Sequence, residues 1–255
     1  MSPGDYARQL RAELHLSGPV NPDCVAEQLR IAIFEEPLDA DGYLLRKGED
    51  TRILVDSGIG YETRKRFTVA HEIGHFFMPH HQAEVFRCVG RDIQSYKSNK
   101  KQENEANEFA AELLLPTAEL DSLLLHPPTM DLIQEFSELY GTSLTATAVK
   151  IAEVTCERIV IILSDNGEIK WFRKSSSFPY WINKGPLHKW IYAYDYFVDG
   201  HLADGPQKAL AYAWCQVTSP DLYVIEESVA FNRLGLVLTL LHIPVDENED
   251  EVDSF

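Results

Sequence analysis

The sequence predicts an α+β chain: a mainly helical domain carrying a small β-sheet, followed by a smaller α/β domain. Three observations lead there. Residues 5–16, 21–29, 62–78 and 101–115 place apolar side chains at helical spacing. Residues 31–56 read instead as short strands broken by the turn Asp39-Ala40-Asp41-Gly42. Beyond residue 157 the pattern becomes strand-like, with Asn166-Gly167 at the centre of a hairpin signal. A chain of 255 residues can form one large domain or two small ones. The change of character sets the boundary. Residues 1–157 are the first domain, 158–245 the α/β domain, and 246–255 an acidic, disordered tail.

The elements follow in order. Helix 5–16 opens the chain, and Asn21-Pro22 stand at the N-cap and first turn of helix 21–29. The strand 31–37 precedes the segments 43–47 and 51–56, which read as a hairpin, with 51–56 expected at the edge of the sheet. Helix 62–78 stops at Pro79, a loop covers roughly 80–100, and helix 101–115 ends at Pro116. The helical segment 117–155 completes the first domain, interrupted by Pro127-Pro128. In the second domain the hairpin is joined by strands at 220–228 and 234–243 and by a helix near 203–216. Its many aromatic residues read as core, and Glu226 and Glu227 as solvated.

Composition narrows the function classes. The net charge is −17, and removing the six acids of the tail leaves about −11, so electrostatic attachment to a phosphate backbone is not expected. A basic protein partner suits this body better. No apolar run approaches the roughly 20 residues of a membrane span, and the first ten residues lack the pattern of a signal peptide. Cys24, Cys88, Cys156 and Cys215 lie far apart without a CxxC pair, the usage of reduced, mostly buried thiols in a cytoplasmic protein. Residues 131–153 resemble a helix-turn-helix with Gly141 at the turn, but the second helix offers only Lys150 as a cation. A helical pair packed on its own domain is the simpler reading.

The informative residues are His71-Glu72-Ile73-Gly74-His75. On a helix, positions i and i+4 share a face, so both imidazoles reach one metal ion while Glu72 stands beside it. The flanks are apolar, so the helix is buried, and two histidines and a glutamate inside it need strong partners. A divalent cation is such a partner: Zn2+, or another ion such as Mn2+. A hydrolytic zinc needs a third ligand and an open position. Helix 101–115 offers Glu103 as that ligand, with Glu105 as the alternative, and Asn107 one turn beyond Glu103 to hold the free nitrogen of a ligating histidine.

The stretch 64–116, with RFTVAHEIGHFF, a loop containing Arg91-Asp92, and then ENEANEFAAELLLP, resembles the ImmA/IrrE family of metallopeptidases. That family joins a gluzincin-like HExxH to a downstream Glu-x-x-x-Asn/Asp helix. Leu115 stands here where the family usually has Met before the proline. The resemblance implies a zincin-like fold, with His71, His75 and Glu103 as zinc ligands and Glu72 as general base. It also implies a protein substrate, typically a helix-turn-helix transcriptional repressor whose cleavage releases stress or mobile-element genes. The alternative is a non-catalytic, metal-stabilised regulatory or antitoxin-like binding module, which has no use for a free carboxylate at position 72. No oxyanion donor is evident; Tyr61, Tyr96, His80 and His81 are the available groups.

Overall fold

The computed structural model describes residues 1–48, 50–81, 85–88, 101–123, 126–217 and 219–244. The expectations for Arg91, Asp92, Tyr96 and the tail fall outside these residues. Contacts divide the chain into two units, Met1–Ser122 with Glu135–Thr147 and Leu123–Gln134 with Ala148–Phe255.

The first unit opens with α1 (Pro3–Glu13). Ser2 Oγ accepts from Asp5 N at 3.1 Å while the Asp5 carboxylate accepts from Ser2 N at 2.7 Å, so two free amides of the first turn are satisfied reciprocally. In α2 (Pro22–Gln28), Asn21 Oδ1 caps Asp23 N at 3.1 Å, as the Asn-Pro pair predicts. Three strands follow: β1 (Ala32–Glu36), β2 (Gly42–Lys47) and β3 (Asp50–Asp56). β2 and β3 form the expected hairpin, and β1 runs parallel to β3.

The sheet has the order β1-β3-β2-β4, where β4 (Val85–Cys88) pairs antiparallel with β2 inside the stretch read as loop. This corrects the expected position of 51–56. β3 is enclosed between two strands, because the non-local parallel pairing with β1 covers the side that a hairpin alone would leave open.

Two helices carry the rest of the core, α3 (Glu62–Phe77) and α4 (Lys101–Leu114). Leu10, Leu44, Ile53, Ile73, Phe109 and Leu113 are fully buried in one cluster drawn from α1, the sheet, α3 and α4. Each contributes about 1.5–3 kcal/mol by leaving water. The buried Arg11 donates to Leu113 O at 2.8 Å and to Glu119 at 2.7 Å, satisfying a carbonyl at the end of α4 and binding α1 to it. Helices α5 (Thr117–Leu123), α6 (Met130–Tyr140) and α7 (Leu144–Val154) follow. Gly141 separates the last two, at a φ of +61° that a side chain would strain.

In the second unit, β5 (Ile159–Asp165), β6 (Glu168–Lys174), β8 (Gln207–Leu210), β10 (Tyr223–Phe231) and β11 (Leu236–His242) form an antiparallel sheet of order β6-β5-β11-β10-β8. Asn166 and Gly167 both take positive φ, 51° and 76°, which gives the hairpin its matching twist. A second, two-stranded sheet pairs β7 (Trp181–Ile182) with β9 (Cys215–Gln216). The helices are α8 (Tyr192–Asp199), closed by Gly200 at φ +83°, and the single turn α9 (Ala211–Trp214).

The expected helix at 203–216 is reduced to the single turn 211–214 between strand residues 207–210 and 215–216, since pairing with β10 takes up residues 207–210. Glu226 and Glu227 are buried, contrary to expectation. Glu226 accepts from Ala193 N at 2.7 Å and Trp214 Nε1 at 2.9 Å, and burial still pushes its carboxyl up to about 7. Glu227 accepts from Met130 N at 3.0 Å, in the first turn of α6. Cys24 and Cys156 are free but exposed, against the expected burial, and Cys215 is buried.

The approach of α3 to α4 is closest at Gly74. A Cβ there would lie 2.9 Å from Phe109 Cδ1 and 3.2 Å from Phe109 Cβ, and the latter is fixed to the backbone of α4. Gly74→Ala gains about 1 kcal/mol of helix propensity but forces the helices apart. We expect a lower melting temperature, a net loss of roughly 1–2 kcal/mol. Combining it with Phe109→Leu should recover part of that loss in thermal denaturation.

Candidate metal centre

Residues 68–75 of α3 are all buried, so these two turns of the helix are enclosed on every side. His71 and His75, one turn apart, project together, and Glu103 and Asn107 occupy the same positions one turn apart on α4. His71 Nδ1 lies 2.9 Å from Asn107 Oδ1. A carbonyl oxygen only accepts, so Nδ1 carries the proton and Nε2 is left for ligation. His71 Nε2 is 3.0 Å from His75 Nε2 and 3.3 Å from Glu103 Oε2, and His75 Nε2 is 3.6 Å from Glu103 Oε1. All three expected ligand positions thus converge. Burial holds the His75 imidazole down at about 4, which keeps it neutral near pH 7. Burial pushes Glu103 up, but the two imidazoles outweigh it and leave the carboxyl at about 2. Neutral imidazole and carboxylate are the forms that bind a cation.

Glu72 is fully buried, and neither of its oxygens has a hydrogen-bond partner among the described residues. Burial, and then the charge of Glu103, raise its carboxyl well above the usual range. Its roof is the first residue of β2. A Cβ on Gly42 would sit 2.6 Å from Thr68 Cγ2 and 3.2 Å from Glu72 Oε1. Asp41, just before it, is held by Arg64 of α3, whose Nη2 donates to both carboxylate oxygens at 2.7 and 2.8 Å.

From the same strand, Arg46 donates to the carbonyls of His75 and Phe76 at the end of α3 and to that of His81. A guanidinium there satisfies free carbonyls and opposes the negative end of the helix dipole. Phe86 of β4 stacks on His75 with ring centroids 4.1 Å apart.

Glu105, the alternative ligand, is engaged by two other rings. His80 Nε2 and His81 Nε2 lie 2.9 and 3.0 Å from its Oε2, and His81 Nδ1 lies 2.9 Å from His75 Nδ1. His80, His81 and Glu105 form a second cluster of potential ligands beside His71, His75 and Glu103. Sequence reasoning passed over the linkage of His81 to His75 because a turn after Pro79, with no helical period, creates it. Tyr61, another group considered for oxyanion binding, is exposed at the N-terminus of α3.

Residues 26–152 match the Peptidase_M78 family, described as the IrrE N-terminal-like domain. No curated relative matches the chain. No helix among the described residues is long and apolar enough to cross a membrane. The matched region contains α3, α4 and the turn with His80 and His81, hence every residue of the two clusters. Through this domain, about half of its length, the chain belongs to the Peptidase_M78 family and has the function of a metallopeptidase.

Proposed function

We propose that the protein is a zinc-dependent endopeptidase in which His71, His75 and Glu103 hold the ion and Glu72 is the general base. The observation that carries this reading is the convergence of the three side chains: His71 Nε2 and His75 Nε2 lie 3.0 Å apart, and Glu103 brings Oε2 to 3.3 Å from the first and Oε1 to 3.6 Å from the second. Ligands about 2.1 Å from a tetrahedral ion lie about 3.4 Å apart, a spacing that these groups match. A buried, unpartnered Glu72 beside the ionised Glu103 is costly until a cation offsets both charges. Bound there, zinc would polarise the scissile carbonyl and acidify the attacking water. Glu72 would take the proton from that water and deliver it to the leaving amine.

The substrate of this reading is a basic helix-turn-helix repressor in the cytoplasm, whose cleavage releases stress or mobile-element genes. The net charge of −17 favours such a partner over nucleic acid. An extended segment would add to β4, the outer strand on the β2 side among the described residues, whose Phe86 stacks on His75.

Elemental analysis should find about one zinc per chain, with sub-stoichiometric metal in His71→Ala, His75→Ala and Glu103→Ala. Full metal in Glu103→Ala would remove Glu103 from the ligand set. Glu72→Gln should retain zinc and melting temperature but cut a basic helix-turn-helix repressor roughly 10²–10⁴-fold more slowly. Cleavage at the wild-type rate would show that Glu72 is not the base. Gly42→Ala should lower turnover more than zinc affinity, because its Cβ presses on Thr68 and Glu72 and not on the ligands. A matching loss of both would place the strain elsewhere.

A further inference from the structure

We propose that His81 and Glu105 are positioning residues for the metal centre, a carboxylate–imidazole relay that keeps the proton of His75 on Nδ1 and so leaves Nε2 free to ligate. This rests on the reading of His71, His75 and Glu103 as ligands. Between the Nδ1 atoms of His75 and His81, 2.9 Å apart, there is room for one proton. Which ring owns it decides whether His75 can bind a metal, since a neutral imidazole with its proton on Nε2 has no lone pair there.

Glu105 settles the ownership. Its Oε2 lies 3.0 Å from His81 Nε2, and a carboxylate only accepts, so His81 carries its proton on Nε2. The neutral ring then has a bare Nδ1, which accepts from His75 Nδ1–H. His75 Nε2 is left with its lone pair toward the metal. α4 thereby orients both ligand histidines by different routes: Asn107 acts directly on His71, and Glu105 acts on His75 through one intervening ring.

The surroundings fix the geometry that the relay needs. Arg46 holds the carbonyls of His75 and His81, which ties the turn carrying His81 to the end of α3. Phe86 stacks on both rings, at centroid distances of 4.1 and 5.8 Å. His80 Nε2 lies 2.9 Å from the same Oε2 of Glu105, and Lys101 Nζ lies 3.7 Å from its Oε1.

The relay also excludes the other use of this cluster. A cation bound by His80, His81 and Glu105 would take the lone pair of His81 Nε2 and force that proton onto Nδ1. His75 Nδ1 would then have to accept, its own proton would move to Nε2, and the catalytic position would be blocked. One proton makes the two sites mutually exclusive.

The test uses the full chain. Zinc affinity, measured by competition with a chromophoric chelator, should weaken roughly 10–100-fold in Glu105→Ala and His81→Phe, with circular dichroism unchanged. Glu105→Gln, whose carbonyl still accepts from His81, should restore most of that affinity. Long-range 1H–15N correlation spectra of the zinc-loaded wild-type chain should show the His81 proton on Nε2, a measurement that does not depend on any variant folding. Wild-type zinc affinity in Glu105→Ala, a His81 proton on Nδ1, or two zinc ions bound at once would overturn the relay. Undiminished zinc binding in His75→Ala would instead overturn the ligand assignment on which it rests.

Discussion

The structure of the first unit depends on how closely α3 and α4 approach at Gly74, where the backbone of one helix lies against the ring and Cβ of Phe109. That contact sets the distance between two rows of polar side chains. With a larger residue at position 74, Glu103 and Asn107 would stand away from His71 and His75. Several buried groups would then lack partners, at a cost of a few kcal/mol. Close packing of apolar atoms therefore creates the polar site beside it: Ile73, Phe109 and Leu113 fill the space that would otherwise admit water.

The small sheet does more than cover the helices. β2 and the residue before it form both ends of a clamp, with Asp41 bound to Arg64 near the start of α3 and Arg46 bound to the carbonyls at its end. Between them the bare backbone of Gly42 leaves just enough room for Glu72. The strand and the residue before it thus hold a helix of sixteen residues near both termini and shape the environment of its central carboxylate. β4 extends the same sheet and brings Phe86 against His75. The imidazoles are consequently confined by packing as well as by hydrogen bonds, the pre-organisation that a metal site requires.

Polar burial recurs in the second unit with a different outcome. Glu226 is as inaccessible as Glu72, yet it accepts two hydrogen bonds, from Ala193 N and Trp214 Nε1, and is used up by the fold. Glu72 has no such partner among the described residues. A buried carboxylate whose bonds are complete supports structure, and one whose bonds are open is available for chemistry.

The sequence by itself determined what local spacing can encode. The four-residue steps His71–His75 and Glu103–Asn107 put each pair on one helix face, Asn21 capped α2, and Asn166-Gly167 turned the hairpin as its φ preferences require. Each of these rests on a period or a backbone preference acting within a few residues. Tertiary structure decided the rest. β3 is enclosed because β1 pairs with it in parallel, and residues 207–210 are strand because β10 lies beside them. Glu105, offered by the sequence as an alternative ligand, lies in reach of His80 and His81 because the turn after Pro79 brings them to α4. These outcomes depend on which segments meet across long stretches of chain, and no local period records that meeting.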